Sequence, residues 1–231
     1  MHISPITINF NNYKNLKTSN KTSNPISFKG ENDREKIAFE WCSRFRDTIC
    51  NFKKEIYERD TDIENLFNEL RQLDKSTQEE IILGVNINEG NIFPLSLKYC
   101  HNAAHKIWDF VKNCNDRDLQ SQFVLGSYCT PNDTAYYHAV TKINKIIAND
   151  ILAFVASNKL DKRIVHKFFT LCDVKGTQDK HLELKGRFVQ ADEFRQTAQK
   201  CNIDINKQLQ NRTFMSWPAW ISMNYMIGWK M

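Results

Sequence analysis

Apolar side chains recur along much of this chain at steps of three and four, the spacing that lays them on one face of a helix. Between residues 31 and 60, Ala38, Trp41, Cys42, Phe45, Ile49, Cys50, Phe52 and Ile56 keep that rhythm. It predicts one long amphipathic helix, started by Asn32 or Asp33. Periodic segments follow at 63–73, 75–84, 106–113, 117–126 and 150–160, separated by short charged links or by the loops GVNINEGN and SYCTPND. A polar helix is expected near 191–201. In SWPAWISMNYMIGWKM at 216–231, Ser216 and Pro218 start another, with Trp217, Trp220, Ile221, Tyr225 and Ile227 covering most of its surface. Such a helix reads as a buried closing cap, and alternatively as a partner-binding or membrane-surface segment.

One periodic stretch recurs without a gap. DKSTQEEIILG at 74–84 is matched 42 residues later by DRDLQSQFVLG at 116–126, with Asp, Gln, Leu and Gly at identical places. Lys75 is answered by Arg117, and Ile81-Ile82 by Phe123-Val124. An eroded third copy starts 45 residues further on at Asp161, keeps Phe168-Phe169, and ends on Leu171 in place of Gly. Between the copies, Ile107, Phe110 and Val111 return 44 residues later as Ile151, Phe154 and Val155. A period in this range predicts stacked supersecondary units, and with only 7 Gly and 5 Pro the class is all-α.

After GVNINEGN comes FPLSLK at 93–98, and after SYCTPND comes TAYYHA at 134–139. Both resemble the TPLHLA signature of the ankyrin repeat, which begins its inner helix. The matching residues are Pro94, Leu95 and Leu97 in the first unit and Thr134 and Ala139 in the second, while DVKGTQDKHLELKGRF shows no clear counterpart. The ankyrin period is about 33 residues, so an additional helical segment such as 76–84 must fit before each loop. An array related to HEAT or tetratricopeptide solenoids is the structural rival. The resemblance implies stacked helical repeats, an ankyrin-like solenoid of about three lengthened units over 61–185, with helical caps at 31–60 and 186–231. It further implies a concave surface of loops and inner helices that meets a protein partner. Asn88, Lys98, Tyr128 and Tyr137 are the partner-binding residues expected there, with Tyr136 in the core.

Charge narrows the partner class. Residues 1–30 hold Lys14, Lys17, Lys21 and Lys29 and no acidic residue, so the rest of the chain balances 28 basic against 27 acidic side chains. A nearly neutral folded part disfavours a nucleic-acid partner. The first thirty residues, rich in Asn, Ser, Thr and Lys, read as a disordered tail, with a localisation signal as the alternative. The 7 cysteines form no CxxC pair, which points to buried thiols in a reducing compartment and to a cytoplasmic protein, with delivery outside the producing cell left open. No apolar run approaches the ~18 residues of a membrane span, and a soluble monomer is expected.

Candidate chemistry is sparse. His101, His105 and Asp109 have i, i+4, i+8 spacing, but the repeat register turns the chain near Asn102 and places the two histidines on different helices. Cys100 and His101 are adjacent and would diverge on a helix. No phosphate-binding, dinucleotide, nucleophile-elbow or zinc-protease motif occurs. The chain is therefore read as a non-catalytic interaction module without cofactor or metal. An effector-type enzyme with scattered residues, or a membrane-surface adaptor using the Trp-rich end, stands as the alternative.

Overall fold

The computed structural model describes residues 31–84, 91–157, 159–173 and 175–205, and within them the chain is mostly helical. The helices are α1 (Glu31–Cys50), α2 (Ile56–Leu70), α3 (Lys75–Leu83), α4 (Ile92–Tyr99), α5 (His101–Asn113), α6 (Arg117–Leu125), α7 (Ala135–Thr141), α8 (Lys145–Ala156), α9 (Lys162–Thr170), α10 (Gln178–Leu184) and α11 (Phe188–Lys200). Before α10, β1 (Cys172–Asp173) and β2 (Gly176–Thr177) pair as a short antiparallel hairpin. The expected tail over 1–30 and the Trp-rich segment over 216–231 lie outside the described residues.

Helix-end chemistry accounts for the recurring Asp, Gln and Gly. Asp74 caps α3 by accepting from the Thr77 amide at 3.1 Å, Asp116 caps α6 from Asp118 and Leu119 at 3.0 Å each, and Asp161 caps α9 from Arg163 at 2.7 Å. The glutamines reach backwards. Gln78 Nε2 donates to the carbonyls of Leu70 at 3.1 Å and Leu73 at 2.9 Å, and Gln120 Nε2 to those of Val111, Lys112 and Cys114 at 3.2, 3.3 and 2.8 Å. They add donors to the carbonyls at and beyond the ends of α2 and α5, of which Leu70's also accepts from the Leu73 amide and Val111's from the Cys114 thiol. Gly84 and Gly126 then end α3 and α6 with φ of 64° and 77°. The third copy carries Val165 and Leu171 at these places. Val165 is buried, and Leu171 leads directly towards β1 with an ordinary φ of −54°.

Helices three apart in order touch. α1 meets α4, α4 meets α7 and α7 meets α10; likewise α2, α5, α8 and α11 meet in succession, as do α3, α6 and α9. One continuous apolar cluster runs through these contacts, from Ala38 in α1 to Ala198 in α11. Polar ties cross the same seams. Trp108 Nε1 and Lys112 Nζ reach Asp150 Oδ2 at 2.7 and 2.6 Å, Lys75 pairs with Asp116 at 2.8 Å, and Lys106 pairs with Glu64.

The single helix expected over 31–60 is corrected: it stops at Cys50, and α2 folds back. The return lets Phe67 meet Trp41 edge-on at 5.9 Å and Phe45 at 6.2 Å, and lets Trp41 Nε1 donate to the Leu66 carbonyl at 3.0 Å. A continuous helix would carry Phe67 and Leu70 away from that aromatic cluster, a loss of several kcal/mol of apolar burial. Phe52 and Ile56, which extend the periodic stripe, are instead exposed at the link.

Candidate functional site

The loop between α6 and α7 carries one of the expected partner-binding residues, Tyr128, 81% exposed. Its nine residues are tied down by hydrogen bonds within the loop and to neighbouring elements. Gly126 turns the chain where an added Cβ would lie 2.1 Å from the Asp133 carbonyl oxygen. The Tyr128 amide donates to Asp133 Oδ2 at 2.7 Å, the Cys129 amide to the Gly126 carbonyl at 3.2 Å, and the Asp133 amide to the Thr130 carbonyl at 3.1 Å. From outside the loop, Lys167 Nζ reaches Cys129 Sγ at 3.4 Å, and Ser127 Oγ donates to the Leu83 carbonyl at 3.4 Å. The other Asp133 oxygen lies 3.5 Å from His138 Nε2 on α7.

Beneath this loop, α7 and α10 each follow a threonine, Thr134 and Thr177, of which only Thr134 caps its helix through the side chain. Thr134 caps α7 by accepting from the Tyr137 amide at 3.1 Å, and its hydroxyl donates to Gln178 Oε1 of α10 at 3.0 Å. His181 on α10 meets Asp173 of β1 at 2.8 Å, tying the hairpin to the helix as Asp133 and His138 tie the preceding loop to α7. Asp179 is buried, with Thr177 donating to one oxygen and Arg195 to the other at 2.8 Å. Arg195 also holds Glu183 at 2.7 Å. The Glu183 carboxyl is held below the usual range by hydrogen bonds from Lys180 and Arg195.

Of the four expected partner-binding residues, the three that are described, Lys98, Tyr128 and Tyr137, do not converge. Tyr137 is corrected: it is 8% exposed, with its ring edge-on to His138 and His181. Burial, reinforced by the charge of Asp173, pushes its phenol up. The reason is α10, which packs on α7 and covers the side that the first turn of α7 would otherwise show. Tyr136 is in the core, stacked on Phe194 at 5.6 Å, with its hydroxyl donating to the Gln190 carbonyl at 3.0 Å. Lys98 is exposed but lies at the far end of α4, over the Tyr99 ring at 4.6 Å, about 10 Å of helix away from the end that the preceding loop enters. Asn88 lies outside the described residues.

His101 and His105 are also corrected, since α5 begins at His101 and carries both. Among the described residues, no group of three or more His, Cys, Asp or Glu could hold a metal ion. Cys100 is the buried residue preceding α5 and His101 is exposed, so the adjacent thiol and imidazole do not share a pocket. A cleft of about 80 Å³ lies between α7, α8 and α11, and a more open hollow of about 330 Å³ lies between α1 and α2, lined by charged residues that include Arg44, Asp47, Asp62 and Glu69. None of the 7 cysteines forms a disulfide, and no helix among the described residues is long and apolar enough to cross a membrane.

The residues that organise this site, Asp133, His138, Asp173 and His181, were not among those expected. A signal existed, because Thr134 and His138 recur 43 residues later as Thr177 and His181. No family model, curated protein or solved structure matches the chain.

Proposed function

We propose that the protein is a non-catalytic binding module built of stacked three-helix units, ankyrin-like in its inner helices and loops, and that a protein partner docks on the edge bearing Tyr128. The observation that carries this reading is the display of Tyr128, an exposed aromatic on a loop fixed by Asp133, Gly126 and Lys167. A pre-ordered loop loses little entropy on association, and a tyrosine offers a large contact area with a polar tip. The contacts between helices three apart support the stacked arrangement, and the helices α3, α6 and α9 supply the added segment that a period longer than the ankyrin one requires. The module acts as a monomer in a reducing compartment.

Affinity capture with the full chain tests the docking edge. Tyr128→Ala is expected to weaken a specific captured partner at least tenfold without changing the thermal melt, whereas Lys98→Ala, at the other end of α4, leaves capture unchanged. Undiminished capture by Tyr128→Ala would sink the proposal.

A further inference from the structure

The four turns joining α1 to α2, α4 to α5, α7 to α8 and α10 to α11 lie side by side, because the helices they join touch in succession. Phe52 of the first turn meets Tyr99 of the second at 6.0 Å, and Ile143 of the third lines one cleft with Val189 of the fourth. Eight of the ten large apolar residues that are exposed among the described residues fall within one helical turn of these links, among them Tyr57, Ile146 and Phe188. Concentration of that degree on one edge marks a surface that is covered in use.

Lysines share these turns and the helix ends beside them. Lys53, Lys98, Lys142, Lys145 and Lys185 are exposed, and none of them forms an ion pair among the described residues. Within one helical turn of the links the acidic residues are Asp47, Glu55, Glu58 and Glu183, of which Glu183 is already held by Lys180 and Arg195, and Glu193 lines the cleft with Ile143 and Val189.

Ile143 adds an independent observation. The turns after α7, α10 and α11 close in the same way: Asn144 donates to Ala139 at 2.9 Å, Arg187 to Leu182 at 2.9 Å and Ile203 to Ala198 at 2.9 Å. The residue before each donor is left-handed, with φ of 64° at Ile143, 69° at Gly186 and 59° at Asn202. Gly and Asn accept that conformation readily, whereas a β-branched residue is strained there. At 65% exposure Ile143 recovers little of that strain by packing within the chain.

From this edge we infer a docking surface for an anionic lipid bilayer. Aliphatic tips enter the headgroup boundary and the lysines, whose long stems run along apolar surface, meet lipid phosphates and carboxylates. A protein partner fits less well, because lysine is depleted from protein interfaces and arginine enriched, while the exposed unpaired cations of these turns are lysines, with Arg187 half-buried in the cleft beside Ile143 and Val189. Nucleic acid fits less well still, since five of the eight exposed apolar residues are aliphatic and offer no ring on which a base could stack. This surface is separate from the Tyr128 edge, at the other end of α7.

Sedimentation of the full chain with vesicles tests it. Vesicles of phosphatidylcholine with about one third phosphatidylserine are expected to bind at least tenfold more protein than phosphatidylcholine alone, and 0.5 M NaCl to remove about tenfold of that binding. Ile146→Asp with Val189→Asp, or Lys142→Glu with Lys145→Glu, should each reduce binding at least tenfold while Tyr128→Ala has no effect. Ile143→Gly supplies a readout that a packing role could not give: weaker vesicle binding together with a folding equilibrium raised about fivefold, from relief of the left-handed strain. Equal binding to both vesicle types overturns the proposal. Binding undiminished by the edge variants also overturns it, assigning the membrane contact to another part of the chain. Binding to a soluble polyglutamate peptide but not to vesicles overturns it in favour of an acidic protein partner.

Discussion

At the edge that carries Tyr128, polar side chains do the structural work: Asp133, Thr134, Gln178, Asp173 and His181 hold loops against helix starts, and one aromatic projects. At the other end of α7 the arrangement is inverted. The turns there are closed by backbone hydrogen bonds, and the side chains of Ile143, Ile146, Phe188 and Val189 are left in solvent beside unpaired lysines. The difference separates residues that hold the fold from residues that the fold merely presents. Substitutions should therefore be costly at the first edge and nearly free at the second.

The largest effect is expected at Gly126. Gly126→Ala requires a left-handed side chain and drives a Cβ into the Asp133 carbonyl, so urea unfolding should show a loss of about 2–4 kcal/mol. A loss under about 0.5 kcal/mol would mean that the loop is not held as described. Next is Asp133→Ala, which removes the acceptor for the Tyr128 amide. It should cost about 1–2 kcal/mol and speed exchange of that amide. Unaltered exchange would contradict the rigid display of Tyr128.

Between the two edges, Asp150 reports on the seam from α5 to α8. Its partial burial pulls the carboxyl upward, but hydrogen bonds from Lys112 and Trp108 outweigh it and hold it below the usual carboxylate range. A folded-state value lower than the unfolded one contributes stability above the unfolded value, and that contribution is lost as pH falls through the folded one. Asp150→Asn should therefore cost about 1 kcal/mol at pH 7, screening by solvent included, and the gap to the parent should narrow as pH falls below the usual carboxylate range. A gap constant with pH would remove the charge from this account. The smallest effect belongs to Ile146→Ser on the second edge, expected to stay within about 0.5 kcal/mol of the parent by thermal melting. A larger loss would show that Ile146 packs rather than projects.

The parts of this fold legible in the sequence are those where one residue type performs a backbone task. Asp74 and Asp116 cap helices, Gln78 and Gln120 close the preceding ones, and Gly84 and Gly126 leave them. Such tasks demand particular side chains, so they repeat visibly. The break after Cys50 was not legible, because Phe52 and Ile56 continue the helical rhythm while pointing into solvent. Nor was the start of α10: Asp179 and Lys180 mask the equivalence with α7, since Asp179 is buried by virtue of Thr177 and Arg195 rather than by being apolar. Tyr137 misled for the converse reason, a residue with a polar tip that its neighbours enclose. Of the site, Tyr128 was legible as an exposed loop aromatic, but the aspartates and histidines that fix its surroundings act through tertiary contacts.

The glutamine amides and the lysine–carboxylate pairs divide the labour of cohesion along the chain. Gln78 and Gln120 join successive helices by neutral hydrogen bonds, whereas Lys106 with Glu64, Lys75 with Asp116 and Lys112 with Asp150 bridge helices about forty residues apart. Dissolved ions weaken the second kind of joint far more than the first. Brine should accordingly make the molecule limper lengthwise while each glutamine-stitched segment keeps its own stiffness, so that its mechanical compliance is set by the medium as well as by the chain.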